Sequence, residues 1–196
     1  MKKLKYWSVV GLMFLISCSE LKTNQSFWDD TTGTYTIPSL ELSYTVPTDV
    51  EYWAVADLDD TTPKIKFCGV DTSTDICIVI VEPNSELRHV SELDSVKVKD
   101  ILREIICQSP TGHILRFSPK IERGLYAGSG SWDFRADISL VSMRDTVEVS
   151  YIGHIFDWLN KKVVGIVTIV QTEVIDSIGL QTIDSFFDGV SRIVNK

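Results

Sequence analysis

The 196-residue sequence lacks the features that define several common protein classes. Its four cysteines are too few for the disulfide framework of a small secreted scaffold. It has 19 basic and 27 acidic residues, and the basic ones are not concentrated in any part of the chain, which argues against a nucleic-acid partner. With 44% hydrophobic and 23% charged residues, the composition suits one folded domain of ordinary size.

An N-terminal apolar run is too short to cross a membrane, which takes about 20 residues. It extends from Tyr6 to Ser17, a length of 12 residues, and follows three closely spaced lysines. This arrangement is typical of an export signal. The run ends in Leu15-Ile16-Ser17-Cys18, which resembles the lipobox of bacterial lipoproteins. The alternative is an ordinary secretory signal with an incidental cysteine.

The lipobox resemblance implies that residues 1–17 are a signal peptide and that Cys18 carries a diacylglyceryl group. Such acyl chains anchor a protein to a membrane without a spanning helix. Ser19 resembles an outer-membrane sorting signal, so we expect a lipid-anchored, extracytoplasmic domain of the bacterial cell envelope. Residues 18–34 are polar and are predicted to be a tether, followed by a single domain over residues 35–196. From residue 18 onward the side-chain net charge is −11, which does not favour docking of the domain to an anionic bilayer.

The first half of the domain has the pattern of strands followed by one helix. Apolar and polar residues alternate over 40–46, and shorter strands are predicted at 52–55, 64–68 and 76–81. A helix is predicted over 91–108, with Ser91 as its cap. Its apolar face contains five residues: Leu93, Ile101, Leu102, Ile105 and Ile106.

The second half predicts a strand meander and a terminal helix. Strands are expected at 113–117, 132–140 and 147–151. Residues 163–170 are apolar on both faces, which predicts a central strand. An apolar stripe over 179–194 predicts a C-terminal helix packed on the sheet.

This order predicts an α+β fold, an antiparallel sheet with a mid-chain helix and a C-terminal helix packed on it. It resembles the PsbP-like fold, on the strand ending Tyr44-Thr45-Val46-Pro47, the following Trp53, the helix over 91–108 and Asp184-Ser185-Phe186 in the terminal helix. The resemblance covers residues 35–195 and implies an accessory role. A helix-grip or other open-sheet α+β fold is the alternative.

We find no catalytic motif and expect neither an enzyme nor a cofactor. The glycine-rich residues 124–131 lack the spacing of a nucleophile elbow or a phosphate-binding loop and are interpreted as a hairpin turn. His113 and His154 could meet across strands, but two imidazoles without a third ligand make a poor metal site, so no metal is expected.

Two kinds of covalent modification are candidates beside the lipid. Cys68 and Cys77 flank a predicted hairpin loop and are either a disulfide or two free thiols. Cys107 is expected to be a buried apolar residue. Asp30-Thr31-Thr32 resembles the O-glycosylation signal of Bacteroidetes-type bacteria, with Thr31 as the acceptor, although so short a pattern also arises by chance.

Two functions follow from these features. The first is a non-catalytic, lipid-anchored module that binds or helps to assemble an envelope protein. The second is a small-molecule or lipid carrier with a pocket between the sheet and the C-terminal helix, lined by Trp132, Tyr151 and Phe187.

Overall fold

The computed structural model describes residues 28–47, 52–58, 64–71, 74, 76–84, 86–107, 113–142, 145–159 and 162–193. Within these ranges the strands are β1 Trp28–Asp29, β2 Thr34–Ile37, β3 Leu42–Thr45, β4 Tyr52–Leu58, β5 Lys64–Asp71, β6 Ile76–Glu82, β7 His113–Tyr126, β8 Ser129–Ser142, β9 Asp145–Trp158, β10 Lys162–Gln171 and β11 Val190–Arg192. The α-helices are α1 Ser95–Cys107, α2 Thr172–Ile178 and α3 Leu180–Ser185.

The strands form two antiparallel sheets. The large sheet has the order β4-β5-β6-β10-β9-β8-β7, and the small sheet has the order β1-β2-β3-β11. Neighbouring strands pair in an antiparallel manner throughout both sheets. The predicted α+β class is therefore confirmed, with sheet as the dominant element.

Strand β10 lies at the centre of the large sheet, between β6 and β9. Every residue from Val163 to Val170 is buried. Alternate side chains enter two different hydrophobic clusters, with Val167 in one and Ile166 in the other. The prediction that this doubly apolar segment is a central strand is confirmed, because both faces of the sheet are covered.

Helix α1 covers one face of the large sheet. The five predicted apolar residues of this region are all buried there, together with alternate residues of β8. The predicted cap is wrong: Asp94, not Ser91, accepts hydrogen bonds from the backbone N–H groups of Val96 and Lys97, at 3.0 and 2.8 Å. The chain before Asp94 makes a separate 3-10 turn over Val90–Glu92, so the α-helix starts only at Ser95.

The small sheet and the C-terminal segment cover the other face. Leu40, Leu42, Tyr44 and Val46 point into this second cluster, as their alternation predicts. Two buried hydrogen bonds join its parts. The Tyr44 hydroxyl donates to the carbonyl of Phe186 at 2.9 Å, and Trp158 Nε1 donates to the carbonyl of Leu40 at 2.8 Å.

The predicted continuous helix over 179–194 is wrong. Helical structure begins earlier, at Thr172, and is interrupted at Gly179, which has φ +77° and ψ 156°. Residues Val190–Arg192 pair with β3 instead of continuing the helix. The apolar stripe is still used, because Ile183, Phe186 and Phe187 are buried against the sheet.

The glycine-rich segment is a turn, as predicted, but a much tighter one. Strands β7 and β8 extend through most of it, and Ala127 and Gly128 alone connect them. Both residues have positive φ, 49° and 78°, as the favoured two-residue hairpin turns require.

Candidate functional site

Of the two modification sites predicted near the N-terminus, Cys18 and Thr31, the structure describes Thr31. Cys18 lies outside the described residues. Thr31 lies in the exposed turn between β1 and β2, and its backbone N–H donates to Asp29 Oδ1 at 2.9 Å. Hydrogen bonds from Thr32 and Thr31 lower the pKa of Asp29. The Thr31 side chain is exposed. Its glycosylation stays a prediction.

Segment 18–34, the predicted tether, overlaps the small sheet. Trp28 pairs with Tyr35 and is half-buried against the second cluster. The end of this segment is therefore part of the folded domain. The chain is therefore held on the small-sheet side from residue 28 onward.

The cysteines Cys68 and Cys77 are close neighbours in the core. Their Sγ atoms lie 3.7 Å apart, and both side chains are buried. A disulfide has an S–S length of about 2.05 Å, so the structure holds two thiols in contact. The hydrogen bond with Cys77, together with burial, raises the pKa of the Cys68 thiol well above its ordinary value. Whether the pair is oxidised stays a prediction, and the Cys107 side chain lies outside the described residues.

The most elaborate polar cluster lies on β7–β9, on the face of the large sheet that the C-terminal segment contacts. Asp133 lies directly opposite His154, and its Oδ1 atom is 2.9 Å from His154 Nδ1. Ser131 donates from its hydroxyl to the same oxygen at 2.6 Å. Tyr126 stacks on the imidazole with ring centroids 4.6 Å apart, and Phe187 meets it edge-on at 4.8 Å. We call these five residues the His154 cluster.

The order of hydrogen bonds in the His154 cluster decides its chemistry. A serine nucleophile requires a base within hydrogen-bond reach of its hydroxyl. Here Ser131 donates to Asp133, so the carboxylate and not the imidazole receives its proton. The Tyr126 hydroxyl donates to the Phe187 carbonyl, and burial followed by the charge of Asp188 raises its pKa. The cluster therefore fastens the β7–β8 hairpin to the C-terminal segment.

A second group of polar side chains lies farther along the same face. Asp137 accepts hydrogen bonds from Ser150 at 2.7 Å and from Arg135 Nε at 3.1 Å. Partial burial acts to raise the pKa of Asp137, but these hydrogen bonds and the charges of Arg135 and Lys120 outweigh it and lower the pKa. The carboxylate is thus held ionised as part of a charge network.

The two strand histidines are not brought together. His113 pairs with Val141, and His154 pairs with Asp133. Because Val141 and Asp133 lie eight positions apart on β8, the two histidines are at distant points of the sheet. Within the described ranges there is no group of three or more His, Cys, Asp or Glu side chains suited to a metal ion. No helix of the described residues has the length and apolar character of a membrane span.

The predicted pocket residues do not line one pocket. Trp132 and Tyr151 belong to the cluster under α1, whereas Phe187 belongs to the cluster on the opposite face of the sheet. The reason is strand alternation, since the side chains of Trp132 and Tyr151 point away from the C-terminal segment. The predicted lining is therefore wrong, because these three residues do not share one pocket, and the carrier function stays a prediction.

The outermost strand, β7, exposes apolar side chains next to basic ones. Ile114 is 37% exposed and Leu115 64% exposed. Phe117 follows them on the same strand, and Lys99 and Arg103 of α1 place their charges 5.9 and 5.5 Å from its ring centroid. We call these five residues the α1–β7 rim.

Sequence patterns alone could not predict the His154 cluster or the α1–β7 rim. The His154 cluster combines β7, β8, β9 and the segment after α3, and its pairs depend on strand register. The α1–β7 rim joins a helix to the far edge of a sheet. A weak signal existed for the rim, because Ile114-Leu115 are consecutive apolar residues at the start of a strand that otherwise alternates.

No protein-family model and no curated protein sequence matches the chain. Among solved structures, the chain is similar to cyanobacterial PsbP (CyanoP) from Synechocystis sp. PCC 6803, with a TM-score of 0.49 and 8% identity, over 81% of this chain and 91% of that one. It is also similar to LpqN, a protein involved in cell envelope biogenesis of Mycobacterium tuberculosis, with a TM-score of 0.42 and 11% identity, over 76% and 82% of the two chains. The structural neighbours thus include a PsbP protein.

Proposed function

We propose that this protein is a lipid-anchored, non-catalytic accessory protein of the bacterial cell envelope that binds an envelope protein. The observation that carries the proposal is the α1–β7 rim, where two adjacent apolar side chains are exposed at the edge of the large sheet. Contiguous exposed apolar side chains rimmed by polar groups are typical of interaction surfaces.

The lipid anchor is supported by the sequence before the domain. Leu15-Ile16-Ser17-Cys18 follows a basic segment and a 12-residue apolar run, and the cysteine stands where a lipoprotein signal places it. Ser19 supports an outer-membrane location by its resemblance to the sorting signal. The protein would then be held at the membrane by acyl chains, with its domain outside the cytoplasm.

A binding role rather than turnover is supported by the His154 cluster. Its serine, aspartate and histidine are the residue types of a hydrolase site, but the Ser131 hydroxyl is committed to Asp133. Without a hydrogen bond between hydroxyl and imidazole, the base does not activate the nucleophile. The aromatic contacts of Tyr126 and Phe187 with His154 instead support a structural role.

The test uses the full chain in its native cells. Metabolic labelling with an alkyne-bearing palmitate analogue should label the wild type and not Cys18→Ser, and the unlabelled variant should leave the membrane fraction. Amine-reactive crosslinking of intact cells should yield one defined partner. The ratio of crosslinked partner to this protein should be the same in independent cultures. An unlabelled wild type contradicts the anchor, and crosslinks to abundant neighbours alone contradict the binding role.

A further inference from the structure

Strand β7 is protected against backbone pairing, so a partner at this edge must be held by side chains. The pairing with β8 shifts register between Ile114 and Arg116, and the strand continues through Pro119 and Lys120. An irregular register, a proline and a lysine are devices that keep edge strands from adding further strands. Strand β7 nevertheless exposes the apolar side chains of Ile114, Leu115 and Leu125, which invite contact rather than prevent it.

Positive charge lies over Phe117, which follows Ile114 and Leu115 on β7. Lys99 and Arg103 are one helical turn apart on α1, and both lie over the ring of Phe117. Arg103 forms an ion pair with Asp100 at 3.0 Å, and both partners are more than half exposed. Exposed pairs of this kind contribute little, so the guanidinium stays available to a further carboxylate. Lys99 makes no ion pair within the described part of the chain.

The charge of this region is opposite to that of the protein as a whole. Helix α1 and strand β7 together contain six basic and three acidic residues, whereas the chain has a formal net charge of −8. The acidic residues among them are Asp100, Glu104 and Glu122. A surface with this charge attracts an acidic partner and repels the same surface of a second copy.

We propose that the α1–β7 rim binds an acidic segment of an envelope protein, whose apolar side chains contact Ile114 and Leu115 and whose carboxylates pair with Lys99 and Arg103. The proposal rests on the binding function proposed above and names the surface and the chemistry of the partner.

The charge of the domain favours a protein over an anionic membrane as the partner. From residue 18 onward the side-chain net charge is −11, which does not favour docking to an anionic bilayer. The rim lies on the face of the large sheet that α1 covers, at the β7 edge. Trp28, the first described residue, packs into the cluster on the opposite face.

The test is site-specific photo-crosslinking in intact cells with the full, lipidated protein. p-Benzoylphenylalanine replaces Leu115 in one variant and Leu180 in the other. Leu180 is 51% exposed and lies on α3, whose Ile183 belongs to the opposite cluster, so it is the matched control. We expect a defined protein adduct at position 115 and none at 180, with the partner peptide rich in Asp and Glu.

Charge reversal separates the acidic chemistry from simple apolar contact. Lys99→Glu or Arg103→Glu, added to the Leu115 crosslinker, should lower the adduct yield about fivefold. Lys99→Gln should lower it less, and Arg192→Glu, at an exposed cation on β11, should leave it unchanged. Circular dichroism of each purified variant checks that the fold is retained.

The failures of the two proposals are distinguishable. A defined partner at position 180 and not at 115 overturns the rim while leaving the binding function in place. An adduct at 115 that is lipid, a second copy of this chain, or a protein insensitive to charge reversal overturns the acidic-segment proposal. No protein adduct at either position overturns the rim, and it overturns the binding function as well when amine-reactive crosslinking also yields no defined partner.

Discussion

The carboxylate of Asp133 occupies the space that a side chain at Gly124 would need. A β-carbon on Gly124 would overlap Oδ2 of Asp133 and crowd the rest of the carboxylate. The same Asp133 accepts the hydrogen bonds of Ser131 and His154. Because Gly124 has no side chain, there is room on β7 for the Asp133 carboxylate and its hydrogen bonds with Ser131 and His154.

Gly124→Ala is expected to destabilise the protein by about 1–3 kcal/mol, because the methyl group displaces Asp133 and breaks both hydrogen bonds. Urea unfolding followed by tryptophan fluorescence measures the change. Gly130→Ala is the matched control in the same hairpin, since its β-carbon would make only an ordinary contact of 3.8 Å with Val90. Equal effects of the two substitutions would contradict the role given to Asp133.

Asp94→Ala is expected to cost about 1 kcal/mol, because the N–H groups of Val96 and Lys97 lose their acceptor. Ser91→Ala should change the free energy of unfolding by much less. Thermal and urea unfolding of both variants compare the two caps directly. A larger loss for Ser91 would restore the cap that the sequence pattern predicts.

Tyr44→Phe is expected to cost about 1 kcal/mol. It removes the buried hydroxyl that donates to the Phe186 carbonyl and leaves that carbonyl without this donor. Hydrogen exchange should also show faster opening of the C-terminal segment than of β8 and β9. A variant as stable as the wild type would show that this hydrogen bond makes no net contribution to stability.

Cys68 and Cys77 are expected to resist iodoacetamide in the native protein at pH 8 and to react in guanidinium chloride, as measured by intact mass. Burial and the hydrogen bond between the thiols protect the native pair. Because the folded pKa of Cys68 is raised, the dithiol form gains stability below the unfolded thiol pKa of about 8.5 and loses it as pH rises above that value.

A disulfide form is distinguishable from the dithiol by the same measurements. Unreduced protein purified from the cell envelope would then stay unalkylated even in guanidinium chloride, and its stability would lack the decline above about pH 8.5. Alkylation of both cysteines in that sample would show that the pair remains reduced. Cys68→Ala/Cys77→Ala gives the baseline without either state.

Local patterns predicted the parts of the fold in which one physical requirement acts along the chain. Val163–Val170 is apolar on both faces and could only be stable when covered on both sides, so its central position followed from the sequence. The apolar face of the mid-chain helix followed from its 3.6-residue period in the same way. The cap did not, because Ser91 and Asp94 both satisfy the pattern and only the 3-10 turn over Val90–Glu92 decides between them.

The C-terminal segment shows where periodicity fails. Ile183, Phe186 and Phe187 are buried whether the chain is helical or turned, so their spacing does not determine the backbone. The conformation of Gly179 and the pairing of Val190–Arg192 with β3 determined it instead. Pairing with a strand almost 150 residues earlier is a nonlocal interaction that no window of sequence contains.

The sequence by itself determined the α+β class, the central strand and the two apolar faces that flank it, because burial requires the same residue pattern wherever the elements lie. It also contains the lipobox-like segment, whose chemistry depends on residues adjacent in the chain. The tertiary structure alone decided that Asp133 meets His154, that Trp132 and Phe187 lie on opposite faces, and that Lys99 and Arg103 lie over the ring of Phe117. These relations depend on strand register and on the packing of a helix against a sheet, which join residues far apart in sequence.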